Sequence, residues 1–324
     1  MATIKDIADR VGISVAAVSR ILNHKGSFSQ ETIRNVEQAA RELGYVSPSM
    51  AKQEVIASCK TIAVILPYRH SPYYSVLCDL MEQAAYDYGY SLLLCSTLFN
   101  NDRAACLDLI RKQGVSGIVL GSYTYHHEDL KSAGLPIVTV GFRLSDDYSS
   151  VRSDNCAGGK IAARHLLGKG CRNLLYVTKY ADGIEKDERW LGFESELRKA
   201  DCEVHPYRIL SNRAAQDGSE EMLTKIALEH PNADGLFAES QRLAMQCIRV
   251  FSGLGCRIPS DIRMIGYGNP YFVDYSFPML TIIRENIQEV ARKTISCLVD
   301  EIEQGSREKK DILIPVALDM RETT

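Results

Sequence analysis

Through residue 43 the apolar positions recur at helical spacing, and from residue 61 onward short apolar runs alternate with amphipathic stretches. Ile4, Ile7, Ala8 and Val11 follow i, i+3, i+4, i+7, which predicts a two-turn helix with one apolar face. Gly12 then supplies the positive φ of a tight turn. Ser14 is a good N-cap for a second helix, its hydroxyl taking an orphan amide of the first turn. In that helix Val15, Val18 and Leu22 point one way, while Ala16, Ser19, Arg20 and Asn23 fall elsewhere. Ala8 is small enough for the two helices to cross closely. A third helix over 29–43 sets Ile33, Val36, Ala40 and Leu43 against the first two and ends at Gly44, a favourable C′ residue. This is the helix-turn-helix pattern, whose second helix enters a DNA major groove. On spacing alone an ordinary helical hairpin reads equally well.

Residues 45–60 read as a linker containing Pro48. Beyond it, strand-like runs at 61–66, 90–95, 117–120 and 136–140 are separated by helical stretches at 73–88, 102–113 and 127–133. A second series repeats the plan, with strands at 173–178, 202–207, 235–238 and 264–266 and helices near 157–167, 187–199, 214–229 and 241–252. A strand at 281–283, a helix at 287–304 and end strands at 312–314 and 316–319 follow. Such alternation builds parallel sheets covered on both faces, so the fold class is α/β with two doubly wound subdomains. The domains expected are a headpiece at 1–46, a hinge at 47–60 and a core at 61–324.

Composition changes this picture little. With 324 residues the chain is long enough for about two domains and a small appendage. The net charge of −3 does not advertise a nucleic-acid binder, but it is unevenly placed. Eight basic against six acidic side chains through residue 60 leave +2 on the head and −5 on the rest, which permits a DNA-reading head. Ten scattered cysteines without a Cys-x-x-Cys pair read as reduced thiols, giving neither a metal site nor a disulfide framework. No secretion signal and no apolar run of membrane-spanning length is present, so a cytoplasmic protein is expected.

Enzyme signals are weak. Gly158-Gly159-Lys160 lacks the spacing of a phosphate loop, Gly266-Tyr267-Gly268 is a fragment of a dinucleotide fingerprint, and no Gly-x-Ser-x-Gly occurs. His126, His127, Glu128 and Asp129 are adjacent on a helix and diverge, which suits a solvated helix start better than a metal. No enzymatic activity, cofactor or metal is expected. A solute-binding protein or an enzyme on the same core fold is the alternative.

Asp6-Ile7-Ala8, Gly12-Ile13-Ser14, Val18-Ser19-Arg20-Ile21-Leu22-Asn23, then Ser29, Thr32, Val36, Ala39-Ala40 and Leu43-Gly44-Tyr45 closely resemble the headpiece of the lactose-repressor (LacI/GalR) family, without a gap from residue 3 to 45. The likeness continues through the core. Its phrases there include Ser153-Asp154-Asn155 with Gly158-Gly159, Ala163-Arg164-His165-Leu166-Leu167 with Gly170, Arg189 with Gly192-Phe193, Ile258-Pro259-Ser260-Asp261-Ile262, and Leu280-Thr281-Ile282. The resemblance implies a periplasmic-binding-protein-like core that the chain crosses three times. Its N-subdomain would be about 61–155 and 287–314, and its C-subdomain about 156–284 and 315–324. It also implies a transcriptional regulator, most simply a repressor, binding a palindromic operator as a homodimer under control of a small molecule. No leucine-heptad tail of the kind used for tetramers follows in the sequence.

The resemblance also assigns residues. Val15 and Ala16 would set which operator is read, through thymine methyls, and Arg20 would take a guanine edge. Ser14, Ser19, Asn23, Ser29, Thr32 and Tyr45, joined by Thr3 and Lys5, would hold phosphates. Ala51 and Lys52 match the family's hinge helix. The position that normally wedges a leucine into the minor groove counts to Glu54, a residue repelled by phosphates, so Val55 is the candidate wedge. In the core, ligands sit beyond the carboxyl ends of the strands. Arg189 matches the family's pocket arginine, Tyr73, Tyr74, Tyr123 and Tyr125 offer an aromatic wall, and Ser240 and Asn269 lie at strand ends. Gly141, Gly268 and Gln241 stand where carboxylates are common. Carboxylates clamp sugar hydroxyls, so their replacement argues against a simple neutral monosaccharide; the candidates are an anionic ligand such as a sugar phosphate, a bulkier glycoside held by tyrosines, or no small ligand, with a sugar-type effector the first expectation.

Overall fold

The computed structural model describes residues 3–22, 28–43, 45, 60–67, 72–96, 103–122, 125, 127–179, 184–202, 204–209, 218–269, 276–305 and 308–324. The head is three helices, α1 (Ile4–Val11), α2 (Val15–Leu22) and α3 (Gln30–Glu42). Each start is sealed by a side-chain oxygen. Thr3 and Asp6 form a capping box on α1, Ser14 Oγ accepts the Ala17 amide at 3.2 Å, and Ser29 Oγ accepts the Thr32 amide at 3.1 Å. Gly12 ends α1 at φ 73°, in the left-handed region that favours glycine. Ile7, Ala8, Val18, Ile21, Leu22, Val36, Ala39 and Ala40 close the small core. The inward face of α2 differs from the sequence expectation. Val18, Ile21 and Leu22 bury, while Val15 in the first turn is 48% exposed. That exposure leaves Val15 available at the surface of the first turn, as its assignment to operator reading requires.

The remainder forms two six-stranded sheets. The first contains β1 (Thr61–Leu66), β2 (Ser91–Ser96), β3 (Gly117–Leu120), β4 (Ile137–Val140), β5 (Ser149–Ser153) and β11 (Asp311–Ile314), all parallel in the order β11-β5-β4-β3-β1-β2. α4 (Pro72–Asp87) and α11 (Ile287–Gln304) cover one face through Leu77, Met81, Val290, Ile295 and Leu298. α5 (Arg103–Lys112) and α6 (His127–Lys131) cover the other through Leu107, Ile110 and Leu130. The second sheet contains β6 (Leu174–Thr178), β7 (Val204–Arg208), β8 (Gly235–Ala238), β9 (Arg263–Gly268), β10 (Thr281–Arg284) and β12 (Ala317–Asp319), in the order β12-β10-β9-β8-β6-β7. Only β12 is antiparallel, to β10. α7 (Asn155–Gly168) and α8 (Glu188–Lys199) pack on one side of it, α9 (Gly218–Glu229) and α10 (Gln241–Gly253) on the other. The chain passes between the sheets after β5, after β10 and after β11.

β5 has no counterpart among the expected strands. Its sequence is Ser-Ser-Val-Arg-Ser, yet Ser149, Ser150 and Ser153 are buried. Each hydroxyl donates to a carboxylate far along the chain: Ser149 to Glu301, Ser150 to Asp311 and Ser153 to Glu285. A buried polar strand is stable when its groups are satisfied in this way.

One close approach places the site. At Gly159 on α7 an added Cβ would lie 2.1 Å from the Arg189 carbonyl oxygen, and at Gly192 on α8 it would lie 2.0 Å from the Cys156 carbonyl oxygen. The two glycines let the helices meet backbone to backbone, which fixes where Arg189 leaves α8.

Candidate functional site

Two places carry concentrated chemistry. On the head, Ser14, Val15, Ala16 and Arg20 are exposed along one side of α2, and Ser19 beside them is half-buried. Arg20 makes no hydrogen bond or ion pair among the described residues. Thr3, Lys5 and Ser29 are exposed, while Thr32 and Tyr45 are half-buried, Tyr45 packing against the head's core. The hydroxyls of Thr3, Ser14 and Ser29 each cap a helix start, so a group approaching them also meets the positive end of a helix. Asn23 and the hinge residues Ala51, Lys52, Glu54 and Val55 lie outside the described residues.

The second place is a cleft of about 700 Å³ at the carboxyl ends of both sheets. Tyr73, Tyr74, Gly121, Val140 and Gly141 line it from the first sheet's side; Ser240, Gln241, Arg242, Met245, Gly268 and Asn269 line it from the second. Ser153, Asn155 and Glu285, at the crossings, form its back. Tyr73 and Tyr74 meet edge to face, their centroids 5.3 Å apart. Gly141 has φ 83°, so the backbone there favours glycine. Tyr125 does not reach the cleft: it is 2% exposed and packs among Leu120, Leu130 and Phe142 under the first sheet. Tyr123 lies outside the described residues.

Arg189 is the centre of the cleft. Its Nε donates to Asn155 Oδ1 at 3.0 Å, its Nη1 to the Glu239 carbonyl at 2.6 Å, and its guanidinium stacks 3.8 Å from the Tyr267 ring centroid. Burial works against its charge, but Tyr267, Glu285, Asp187 and Glu239 outweigh that and raise its pKa above the ordinary arginine value. Burial also raises Glu285 and Glu239, opposed by Arg189 and by hydrogen bonds from Ser153 (2.8 Å) and Thr178 (2.6 Å). Asp187 caps α8 through the Arg189 amide and accepts from Tyr176 at 2.6 Å. Among the described residues, two buried polar atoms of the lining, Gln241 Oε1 and the Tyr267 hydroxyl, have no hydrogen bond of ordinary geometry.

The cleft is thus not poor in carboxylates, as its glycines led the sequence to suggest. Glu285 lines it and Glu239 backs Arg189. Glu285 follows β10 directly, so the rule that ligands sit beyond strand ends could have found it. Arg242, Met245, Gln246 and Arg249 also line the cleft, and their spacing along α10 is that of one helix face. Arg249 is held by Glu220 at 2.7 Å through both nitrogens, whereas Arg242 is exposed and has no partner among the described residues.

Next to Arg189, Glu188 faces the other way. It holds Arg152 of β5 at 2.7 and 2.8 Å, and Arg152 reaches on to Asp311 of β11 at 3.0 and 3.2 Å. Asn155 Nδ2 joins at 3.3 Å from Glu188. A polar chain therefore runs from the cleft to both strands at the crossings.

A helix-turn-helix head on a two-sheet, ligand-cleft core defines a DNA-reading regulator with a small-molecule binding body. Residues 3–48 match the lacI family of bacterial regulatory proteins, and residues 163–324, half of the chain, match the periplasmic binding protein-like domain. The chain belongs to the lacI family. It is similar to the sucrose operon repressor of Streptococcus mutans, 29% identical over 98% of each chain. The ribose operon repressor of Halalkalibacterium halodurans is 27% identical, covering 100% of this chain and 97% of that one. Among solved structures, the Lac repressor dimer bound to operator and the anti-inducer ONPF has a TM-score of 0.72 at 21% identity, covering 100% of this chain and 99% of that one. Among the described residues no helix is long and apolar enough to cross a membrane.

Proposed function

We propose that this chain is a transcriptional repressor that binds a palindromic operator as a homodimer and releases or grips it according to a small ligand in the cleft. The observation that carries the reading is the pairing, in one chain, of an Arg20 on α2 that is exposed and has no partner among the described residues with a cleft whose lining comes from both sheets. Head residues 1–46, a hinge at 47–60 and a core at 61–324 are the working division. Val15, Ala16 and Arg20 read base edges, and Thr3, Ser14, Ser19, Asn23, Ser29, Thr32 and Tyr45 hold phosphates. Ala51, Lys52 and Val55 serve the hinge. The protein works in the cytoplasm, where its DNA is.

The effector is a neutral polyhydroxyl compound, a sugar or glycoside. Arg189 already faces Glu285, Glu239 and Asp187, so a further anion gains little there. Gln241 Oε1 and the Tyr267 hydroxyl are left to exchange hydrogen bonds with hydroxyls, and Tyr73 and Tyr74 offer aromatic faces. Ser240 and Asn269 complete the rim. A sugar phosphate is the second reading, favoured by the exposed Arg242 on the lip, which has no partner among the described residues. Ligand acts through its different affinity for two arrangements of the subdomains.

Fluorescence anisotropy tests the DNA reading. The full chain at low salt prefers a palindrome selected from random duplexes over its scrambled version; equal binding to both removes the reading. Thermal shift against neutral sugars and sugar phosphates separates the effectors, since only a phosphate response is lost in Arg242→Ala.

A further inference from the structure

Close to Arg189, one buried hydroxyl stands between two carboxyl groups. Thr178 Oγ1, at the end of β6, lies 2.6 Å from Glu239 Oε2 and 2.9 Å from Asp187 Oδ2. Thr178 is fully buried and Asp187 nearly so. A threonine hydroxyl has one hydrogen to donate and lone pairs with which to accept. It can therefore serve one carboxylate. Against a second ionised carboxylate it would set lone pairs against lone pairs at hydrogen-bond distance. Both contacts become hydrogen bonds when one of the two carboxyls keeps its own proton and donates it to Thr178.

The surroundings favour keeping that proton. Asp187 also receives the Tyr176 hydroxyl at 2.6 Å and the Arg189 amide at 3.1 Å. The Arg189 side chain gives its hydrogen bonds to neutral oxygens, Asn155 Oδ1 and the Glu239 carbonyl. One guanidinium thus faces Asp187, Glu239 and Glu285, and among the described residues its side chain binds none of their carboxylate oxygens directly. Burial leads in raising the Glu239 carboxyl and Asp187 adds to it, while the Thr178 contact, Arg189 and the Lys179 amide oppose; the outcome is a rise. Burial likewise raises Tyr176, which keeps its hydrogen. The Lys179 ammonium is lowered by burial and by Arg242, with Glu239 opposing.

The carboxyls stand at two helix starts. Asp187 caps α8, whose second residue is Arg189, and Glu239 precedes Ser240, the cap of α10, whose first residue is Gln241. Arg189 and Gln241 both line the cleft. We propose that Glu239 and Asp187 share one retained proton across Thr178 at neutral pH, and that this proton clamps the start of α8 to the start of α10. The three are positioning residues for Arg189 and Gln241, whatever fills the cleft. The proton belongs to the pair: whichever carboxyl holds it, Thr178 donates to the other. When it leaves, two carboxylates face one hydroxyl and like charge pushes the helix starts apart. Above the ordinary carboxylate range the folded chain binds this proton and the unfolded chain does not. Stability therefore falls with rising pH until the pair releases it.

The test uses the full chain. At neutral pD its infrared spectrum should carry the carbonyl band of a protonated carboxyl. Glu239→Gln, which keeps the volume without the proton, should lose the band; Thr178→Val, which keeps the shape without the bridge, should displace it. Trp190, the single tryptophan, reports the start of α8, since it follows Arg189 and its ring lies 5.3 Å from that of Tyr176. Its fluorescence in the folded parent should change over the pH range in which the band disappears, and Glu239→Gln should abolish that change. The parent's urea midpoint should fall relative to that of Glu239→Gln as pH rises to the same range. No such band in the parent, a band unaltered in both variants, or a Trp190 change that persists in Glu239→Gln overturns the proposal. The two titrations of the parent must also coincide; separate pH ranges overturn it even where a variant fails to fold.

Discussion

Arg20 and Arg189 carry the same guanidinium into opposite surroundings. Arg20 stands in solvent with no partner among the described residues, at the end of a short helix. Arg189 is held by Asn155, the Glu239 carbonyl and the Tyr267 ring, with three carboxylates near it. A polyanion is best met by charge that is still available, because its binding comes largely from neutralising phosphates. A small neutral ligand is best met by charge already balanced, because the group then orients hydroxyls without demanding a counter-ion. Arg20 keeps its donors open among the described residues, whereas Arg189 has its donors engaged.

That contrast can be broken by substitution. Arg189→Ala leaves Glu285 and Glu239 crowded and unpaired, and should lower stability in urea by roughly 3–5 kcal/mol, with loss of sugar response. A change under 1 kcal/mol would show that the carboxylates do not depend on it. Gly192→Ala forces α7 and α8 apart and should remove roughly 1–3 kcal/mol, displacing Arg189 and weakening ligand binding without touching a ligand contact. Arg20→Ala should do the reverse: unfolding moves by no more than about 0.5 kcal/mol. Its operator affinity should fall by roughly 1–3 kcal/mol, with specificity relaxed at one base pair. Uniform weakening on all duplexes would reassign Arg20 to a phosphate.

Acid titration gives the smallest effect and separates carboxylates lowered by ion pairs from those raised by burial in the cleft. Hydrogen bonds from Arg164 and Lys199 hold Glu196 at about 2, and Arg257 holds Asp261 at about 2. Both carboxylates sit lower in the folded chain than in the unfolded one. Their contribution is therefore present above the ordinary carboxylate range and lost as pH falls towards about 2. The urea midpoint of Arg257→Ala should fall less steeply with acid than that of the parent chain. Glu239 and Glu285 carry the opposite sign, since burial raises them, so acid relieves rather than removes their burden.

Much of the architecture was legible because it rests on local signals. Gly12, Ser14 and the Ile7, Val18, Leu22 positions specify the head within twenty residues, and 287–304 was readable as a helix to the residue. Arg189 was readable from its Gly-Phe neighbours. β5 was not, because its buried serines make sense only beside Glu301, Asp311 and Glu285, which lie over 130 residues away. Glu285 itself sits between two clear elements with no motif around it. Tyr125 looked like a wall residue because it follows a strand end, yet it is buried in the first sheet's core, and no periodic pattern around it marks that. Val15 looked inward by spacing, but a side chain needs a neighbour as well as a direction.

Glu188 and Arg189 are consecutive, and they pull on different things. One grips a strand of the first sheet through Arg152; the other meets whatever fills the cleft. The opening turn of one helix thus touches the cleft with one residue and the first sheet's edge with the next.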